Sequence, residues 1–134
     1  MVTCRDLPPL ITQGEDEQDA LAQAADAMDE VFATYIIEGI EFPEPSKARR
    51  REGLAAPPAG TLAKAALFVA MREAGISKLQ LARQLGVDEK EVRRLLDPKH
   101  PTKLGALTDA LRRLGRRLVI AVEHSSEYSA EIRP

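Results

Sequence analysis

The sequence predicts an α+β protein of two modules: a small hairpin-plus-helix front, then an all-helical back that ends in a strand. Three observations carry this. Two short β-prone runs open the chain, Val2–Cys4 and Leu10–Gln13, separated by the turn-forming Asp6-Leu7-Pro8-Pro9. Helical periodicity then dominates, first in one long acidic stretch and later in several short ones. Finally, charge divides sharply along the 134 residues. Residues 1–46 hold one Arg against eleven Asp and Glu, a net of −10, whereas residues 47–123 hold seventeen cations against eight anions, a net of +9. The overall charge of −2 hides this asymmetry, which suggests modules with different partners: a basic protein for the front and phosphate backbones for the back. The alternative is two merely solvated faces.

Composition narrows the function further. Hydrophobic residues are 44% and charged residues 30%, as in soluble globular proteins. Aromatics are only 4%, so an aliphatic core is expected. No apolar run approaches the roughly 18 residues of a membrane span, and no signal peptide opens the chain; a cytoplasmic protein with no membrane partner is expected. Cys4 is the single cysteine and His100 and His124 the two histidines, so neither a disulfide nor a metal site is expected, and no cofactor. Cys4 in a short strand reads as a small hydrophobe.

In the front, Gly14 breaks the second β-prone run. From Glu15 to Glu38, Leu21, Ala24, Ala25, Met28, Val31, Phe32, Tyr35 and Ile36 recur at helical spacing, with acidic residues opposite and Gly39 as a stop. The cluster Glu15, Asp16, Glu17 and Asp19 at the helix start suits the positive end of the helix dipole better than a metal. Residues 47–60, with Arg49, Arg50 and Arg51 and two prolines, read as a linker, with room for a short strand at Gly53–Ala56.

The back spans residues 61–123. Thr61 is expected to cap a helix through Glu73 that is apolar nearly all round, and therefore central or at an interface. Ser77 caps a short helix to Leu85; Gly86-Val87 turns; Asp88 caps another helix from Glu89 to Leu96. Thr102 caps a last helix with Leu104, Leu107, Leu111 and Leu114 inward, closed by Gly115. Arg116–Glu123 then reads as a strand, and residues 124–134 as a polar, frayed tail.

The stretch Ser77–Leu96 has the spacing of a helix-turn-helix, whose second helix enters the DNA major groove. Leu81, Ala82, Leu85, Val87, Val92 and Leu95 would lock the helices, Ala82 being small where they cross, and Gly86 would allow a turn that a side chain obstructs. Glu89, Lys90, Arg93 and Arg94 are left exposed to reach DNA, the two arginines toward bases; Lys78, Lys99 and Lys103 suit phosphates. Such helix pairs also serve as plain packing or dimerisation units. One short recognition helix reads few base pairs, so a homodimer or higher even oligomer is expected, with Leu118, Ile120 and Val122 as its seam. Nothing comparable supports catalysis, and no enzyme is expected.

The order of parts — Val2-Thr3-Cys4-Arg5-Asp6-Leu7-Pro8, Leu10-Ile-Thr-Gln-Gly-Glu-Asp16, the alanine-rich helix to Glu38, Phe42-Pro43-Glu-Pro-Ser46, then Thr61–Val122 — resembles HicB-type antitoxins of the helix-turn-helix variant. The resemblance implies a reduced relative of the ribonuclease H fold at residues 1–46, which neutralises a HicA-type mRNA-cleaving toxin, and a back that binds operator double-stranded DNA and represses the operon. It also implies a further strand ahead of Val2–Cys4; here Met1 falls within that pattern, so either the start is truncated or the sheet is short of a strand, which would leave an edge unpaired. Toxin contacts are then expected at Leu7, Leu10 and Ile11, ringed by Asp16, Glu17, Asp19, Asp26 and Glu30. The rival readings are a stand-alone helix-turn-helix regulator without a toxin and, from another class, a small nuclease using Asp16 and Glu17.

Overall fold

The computed structural model describes residues 1–122. It is mixed and mostly helical. Strands β1 (Val2–Thr3) and β2 (Ile11–Thr12) pair antiparallel, Val2 opposite Thr12 and Thr3 opposite Ile11. Five helices follow: α1 (Glu17–Glu38), α2 (Ala59–Ala74), α3 (Lys78–Leu85), α4 (Glu89–Leu96) and α5 (Leu104–Arg113). Among the described residues no helix is long and apolar enough to cross a membrane.

The hairpin forms because Leu7 and Leu10, at its turn, are buried against α1 beside Ala24, Met28, Val31, Phe32 and Tyr35. Gly14 brings the chain back onto the start of that helix. A Cβ there would stand 2.4 Å from the Ala20 backbone, so the close approach admits only glycine. Asp16 caps α1, its carboxylate accepting from the Asp19 amide at 2.7 Å, and Asp19 accepts in return from the Glu15 amide at 2.9 Å.

Helix α2 is central, as its all-round apolar pattern predicts: it packs against α1, α4 and α5. Leu67, Leu81, Val92 and Leu107 are fully buried in the larger core, which α2 to α5 share. Truncating any of these leucines to Ala would cost about 2–5 kcal/mol.

Several expectations need correction. The core is not purely aliphatic: Phe42 stacks within 4.8 Å of Phe32, 5.4 Å of Tyr35 and 5.9 Å of Phe68, centroid to centroid. All three phenylalanines thus gather where α1 meets α2. Residues 53–56 do not form a strand; the segment lies against the front, with Arg5 donating to Glu52 at 2.8 Å and Ser46 Oγ donating to Asp6 at 2.7 Å. The basic triplet Arg49–Arg51 therefore accompanies the acidic half in space.

Residues 116–122 are also not a strand. A strand needs a partner edge, and this segment finds none among the described residues. Leu118 instead tucks against the larger core, while Val119, Ile120 and Val122 stand exposed. Glu123 and the tail lie outside the described residues. The two threonines expected to cap helices do other work. Helix α2 starts at Ala59, two residues before Thr61, whose hydroxyl bonds Asp29 of α1. Helix α5 starts after Lys103, and Thr102 accepts from Lys64 at 2.7 Å.

Candidate functional site

Helices α3 and α4 meet across a tight turn that local sequence dictates. Ser77 and Gln80 form a reciprocal cap: Ser77 Oγ accepts from the Gln80 amide at 3.1 Å, and Gln80 Oε1 accepts from the Ser77 amide at 2.8 Å. Gly86 ends α3 at φ +68°, a left-handed conformation that favours glycine. The reason differs from the one expected. A Cβ on Gly86 would meet nothing within 4 Å, so backbone strain, not crowding, selects glycine. Leu81, Ala82, Val92 and Leu95 are buried between the helices, whereas Val87, expected among them, is 42% exposed. Asp88 occupies the cap position of α4 but makes no side-chain cap bond.

This packing turns the polar side of α4 outward. Lys90, Arg93 and Arg94 are exposed and Glu89 is half-buried. Arg93 pairs with Glu89 at 3.0 Å and Arg94 with Glu91 at 2.6 Å. Exposed pairs of this kind are worth about 0.3–0.5 kcal/mol, so a stronger anion can displace the carboxylates. Lys78, Lys99 and Lys103 are exposed too. Lys99 follows the end of α4, and Lys103 precedes the first residue of α5.

Of the acidic residues of α1, Glu17, Asp26 and Glu30 are in the open and Asp19 is half-buried. Asp16 and Asp19 are engaged in capping the helix. Ile11 is 66% exposed on β2, but Leu7 and Leu10 are 7% and 1% exposed. These two leucines support the hairpin from beneath rather than present a face.

Sequence reasoning passed over Lys64. It lies on α2 among Leu62, Ala63, Ala65 and Ala66 and is only 2% exposed. Its ammonium donates to the backbone carbonyls of Arg94 at 3.1 Å and Asp97 at 2.6 Å, to that of His100, and to Thr102 Oγ1. Burial pushes this lysine below its ordinary value, with Asp97 opposing the shift. A lone cation inside the apolar run Leu62–Met71 was the signal that could have found it.

Comparison with known proteins places the chain in a family. The family model described as the HicB-like antitoxin of bacterial toxin–antitoxin systems matches residues 1–66. Antitoxin HicB of Pseudomonas fluorescens (strain Pf0-1) is 33% identical over 123 residues, 91% of this chain and 84% of that protein. Antitoxin HicB 2 of Photorhabdus laumondii is 34% identical over 113 residues, covering 84% of this chain and 80% of that one. Antitoxin HicB of Escherichia coli (strain K12) is 30% identical over 122 residues, with 91% and 88% covered. The similarity runs through the hairpin, α1 and the back helices alike, and on that ground the chain belongs to the HicB-like antitoxin family of bacterial toxin–antitoxin systems.

Proposed function

We propose that this antitoxin neutralises a HicA-type mRNA-cleaving toxin with its front half and represses its own operon with its back half. The observation that carries the DNA side is the outward turn of α4. Leu81, Ala82, Val92, Leu95 and Leu96 are consumed in the core, so Lys90, Arg93 and Arg94 stand exposed on a short helix after a tight turn, the two arginines held only by weak surface carboxylate pairs. That is the presentation a helix-turn-helix makes to the major groove. Lys78, Lys99 and Lys103 then meet phosphates on either side. The toxin side rests on family membership and on the acidic α1, whose Glu17, Asp26 and Glu30 complement the positive surface an RNA-cleaving protein must present. The front is read as a reduced ribonuclease H-like module, and residues 1–46, 47–60 and 61–123 as binding module, connection and DNA-binding region.

Operator reading by one eight-residue helix calls for paired copies, and the exposed segment Val119–Val122 is the proposed seam. The test is co-expression with the neighbouring reading frame. Copurification of the two products, together with retardation of the operon's promoter duplex, is the expected outcome. Retardation without a copurifying neighbour would favour a stand-alone regulator.

A further inference from the structure

We infer that Lys64 is a positioning residue for DNA recognition: from the protein interior, it fixes the end of α4 and the turn that carries Lys99 and Lys103. The inference rests on the DNA-binding reading above, and it assigns a role to a buried cation that this reading does not use.

The last carbonyls of a helix have no partner within it, and they form the negative end of its dipole. In α4 this end points at Lys64. The ammonium donates to the carbonyl of Arg94 in the last turn, to those of Asp97 and His100, and to the Thr102 hydroxyl oxygen. Further bonds close the same turn: the Asp97 amide donates to Arg94, the His100 amide to Asp97, and the Lys99 amide to the Asp97 carboxylate at 3.0 Å. One buried charge therefore gathers the backbone from residue 94 to residue 102. Lys99 lies inside that span, Lys103 follows it, and Arg94 begins it.

Apolar packing alone does not supply this. Leu95 and Leu96 bury α4 in the core, but non-directional contacts tolerate small rotations and slips of a two-turn helix. Recognition of base edges needs placement to about 0.5 Å, which comes from directed bonds beneath the reading side chains. A methionine would fill most of the lysine volume without a charge to desolvate. Retaining a buried lysine in such a place is understandable where directed geometry matters more than stability.

The experiment uses the full chain and two duplexes, one spanning the promoter of its own operon and one of mixed sequence. Lys64→Met is expected to reduce promoter affinity about tenfold or more beyond its effect on the mixed sequence, the scale of one lost base contact. Displacement of the phosphate contacts Lys99 and Lys103 weakens both duplexes alike. Amide exchange should quicken at Leu95, Leu96 and His100 more than at Leu81 and Ala82. Leu67→Ala, a cavity in the same core away from the clamp, controls for general destabilisation and should keep the ratio of the two affinities. Parallel loss of that ratio in both variants, or a preserved ratio in Lys64→Met, would overturn the assignment. If Lys64→Met does not fold, Thr102→Val removes one of the four acceptors and should lower the ratio in the same direction; an unchanged ratio there overturns it equally. A wild-type chain that does not prefer its promoter refutes the DNA reading itself. Unchanged exchange at the end of α4 refutes the role of Lys64 alone.

Discussion

Lys99 Nζ lies 2.9 Å from Glu30 Oε1, joining the turn after α4 to the middle of α1. One partner is a proposed phosphate contact and the other a proposed toxin contact, so each occupies the other when neither ligand is present. Glu30 holds the Lys99 ammonium above its ordinary value. Both side chains are largely exposed, at 58% and 71%, so solvent screens the pair and it adds little to stability. Its consequence is for DNA. Glu30→Gln is expected to release Lys99 and tighten DNA binding by up to about 5-fold, for promoter and mixed sequence alike. The Lys99→Ala background should abolish that gain. Equal affinities for wild type and Glu30→Gln at low salt would show that Lys99 does not reach phosphate.

The exposed arginines of α4 give a prediction of a different kind. Arg93 and Arg94, paired with Glu89 and Glu91, are proposed to leave those weak pairs when a guanine edge offers two acceptors. Replacing either arginine with Ala should cost about 1–3 kcal/mol of promoter affinity and relax preference at one or two base pairs. Changing Lys103 should weaken all duplexes alike and reduce the salt slope. A double Arg93→Ala, Arg94→Ala variant that is folded and binds its promoter at full strength would remove α4 from the interface.

What was legible in the sequence was local. The reciprocal cap of Ser77 and Gln80 sits three residues apart, and the burial of Leu81, Ala82 and Val92 follows from helical spacing around one turn. What was not legible depends on distant partners. Thr61 and Thr102 resemble caps until Asp29 and Lys64, more than thirty residues away, engage their hydroxyls. Residues 116–122 alternate like a strand, but a strand exists only beside another. Leu7 and Leu10 look available in a proline-rich turn, yet α1 covers them. Lys64 reads as a surface cation because its carbonyl partners belong to α4 and the following turn.

Acid should loosen the segment after Phe42 before it touches the helical core. Arg5 and the Arg49 amide hold the Glu52 carboxyl at about 2, well below its ordinary 4.5, and the Ser46 amide and hydroxyl lower Asp6. Both carboxyls are depressed in the folded state. Their contribution is therefore complete above the ordinary carboxylate values and is lost as pH falls from about 4.5 toward 2. Amide exchange at Ser46–Ala55 should quicken in that window while Leu81 and Val92 stay protected. Ser46→Ala should return Asp6 toward its ordinary 3.8. Uniform loss of protection along the chain would show that these bonds do not hold the segment separately.

Assembly is tested at Ile120, 66% exposed on the segment that leaves α5. A lysine there would place a charge in the proposed seam. Ile120→Lys should sediment as a monomer and lose promoter affinity through lost avidity. An interface on α2 at Leu67, Phe68 and Met71 is the other candidate, but Leu67 and Met71 are 0% and 5% exposed within one chain. A dimer that persists in Ile120→Lys would move the interface away from residues 118–122.

Toxin capture is read most directly through Glu17 and Asp26. Asp16 and Asp19 are unsuitable probes, since neutralising them uncaps α1, and Glu30 is tied to Lys99. Glu17 and Asp26 are exposed carboxylates on the same helix, which packs against the hairpin that Leu7 and Leu10 anchor. Charges at the rim of an interface mainly govern encounter, because the attraction acts before contact and is screened once salt shortens its reach to about 8 Å. Glu17→Gln with Asp26→Asn should therefore slow association with the toxin about 3- to 10-fold at low salt. Dissociation should stay within about twofold, and the difference should shrink as salt rises. Ile11→Asp, aimed at the exposed apolar residue of β2, should do the reverse by speeding dissociation. Kinetics recorded on the immobilised toxin at two ionic strengths separate these effects. If the paired carboxylate variant changes only dissociation, α1 lies at the centre of the interface; if it changes neither rate, the toxin docks elsewhere on the chain.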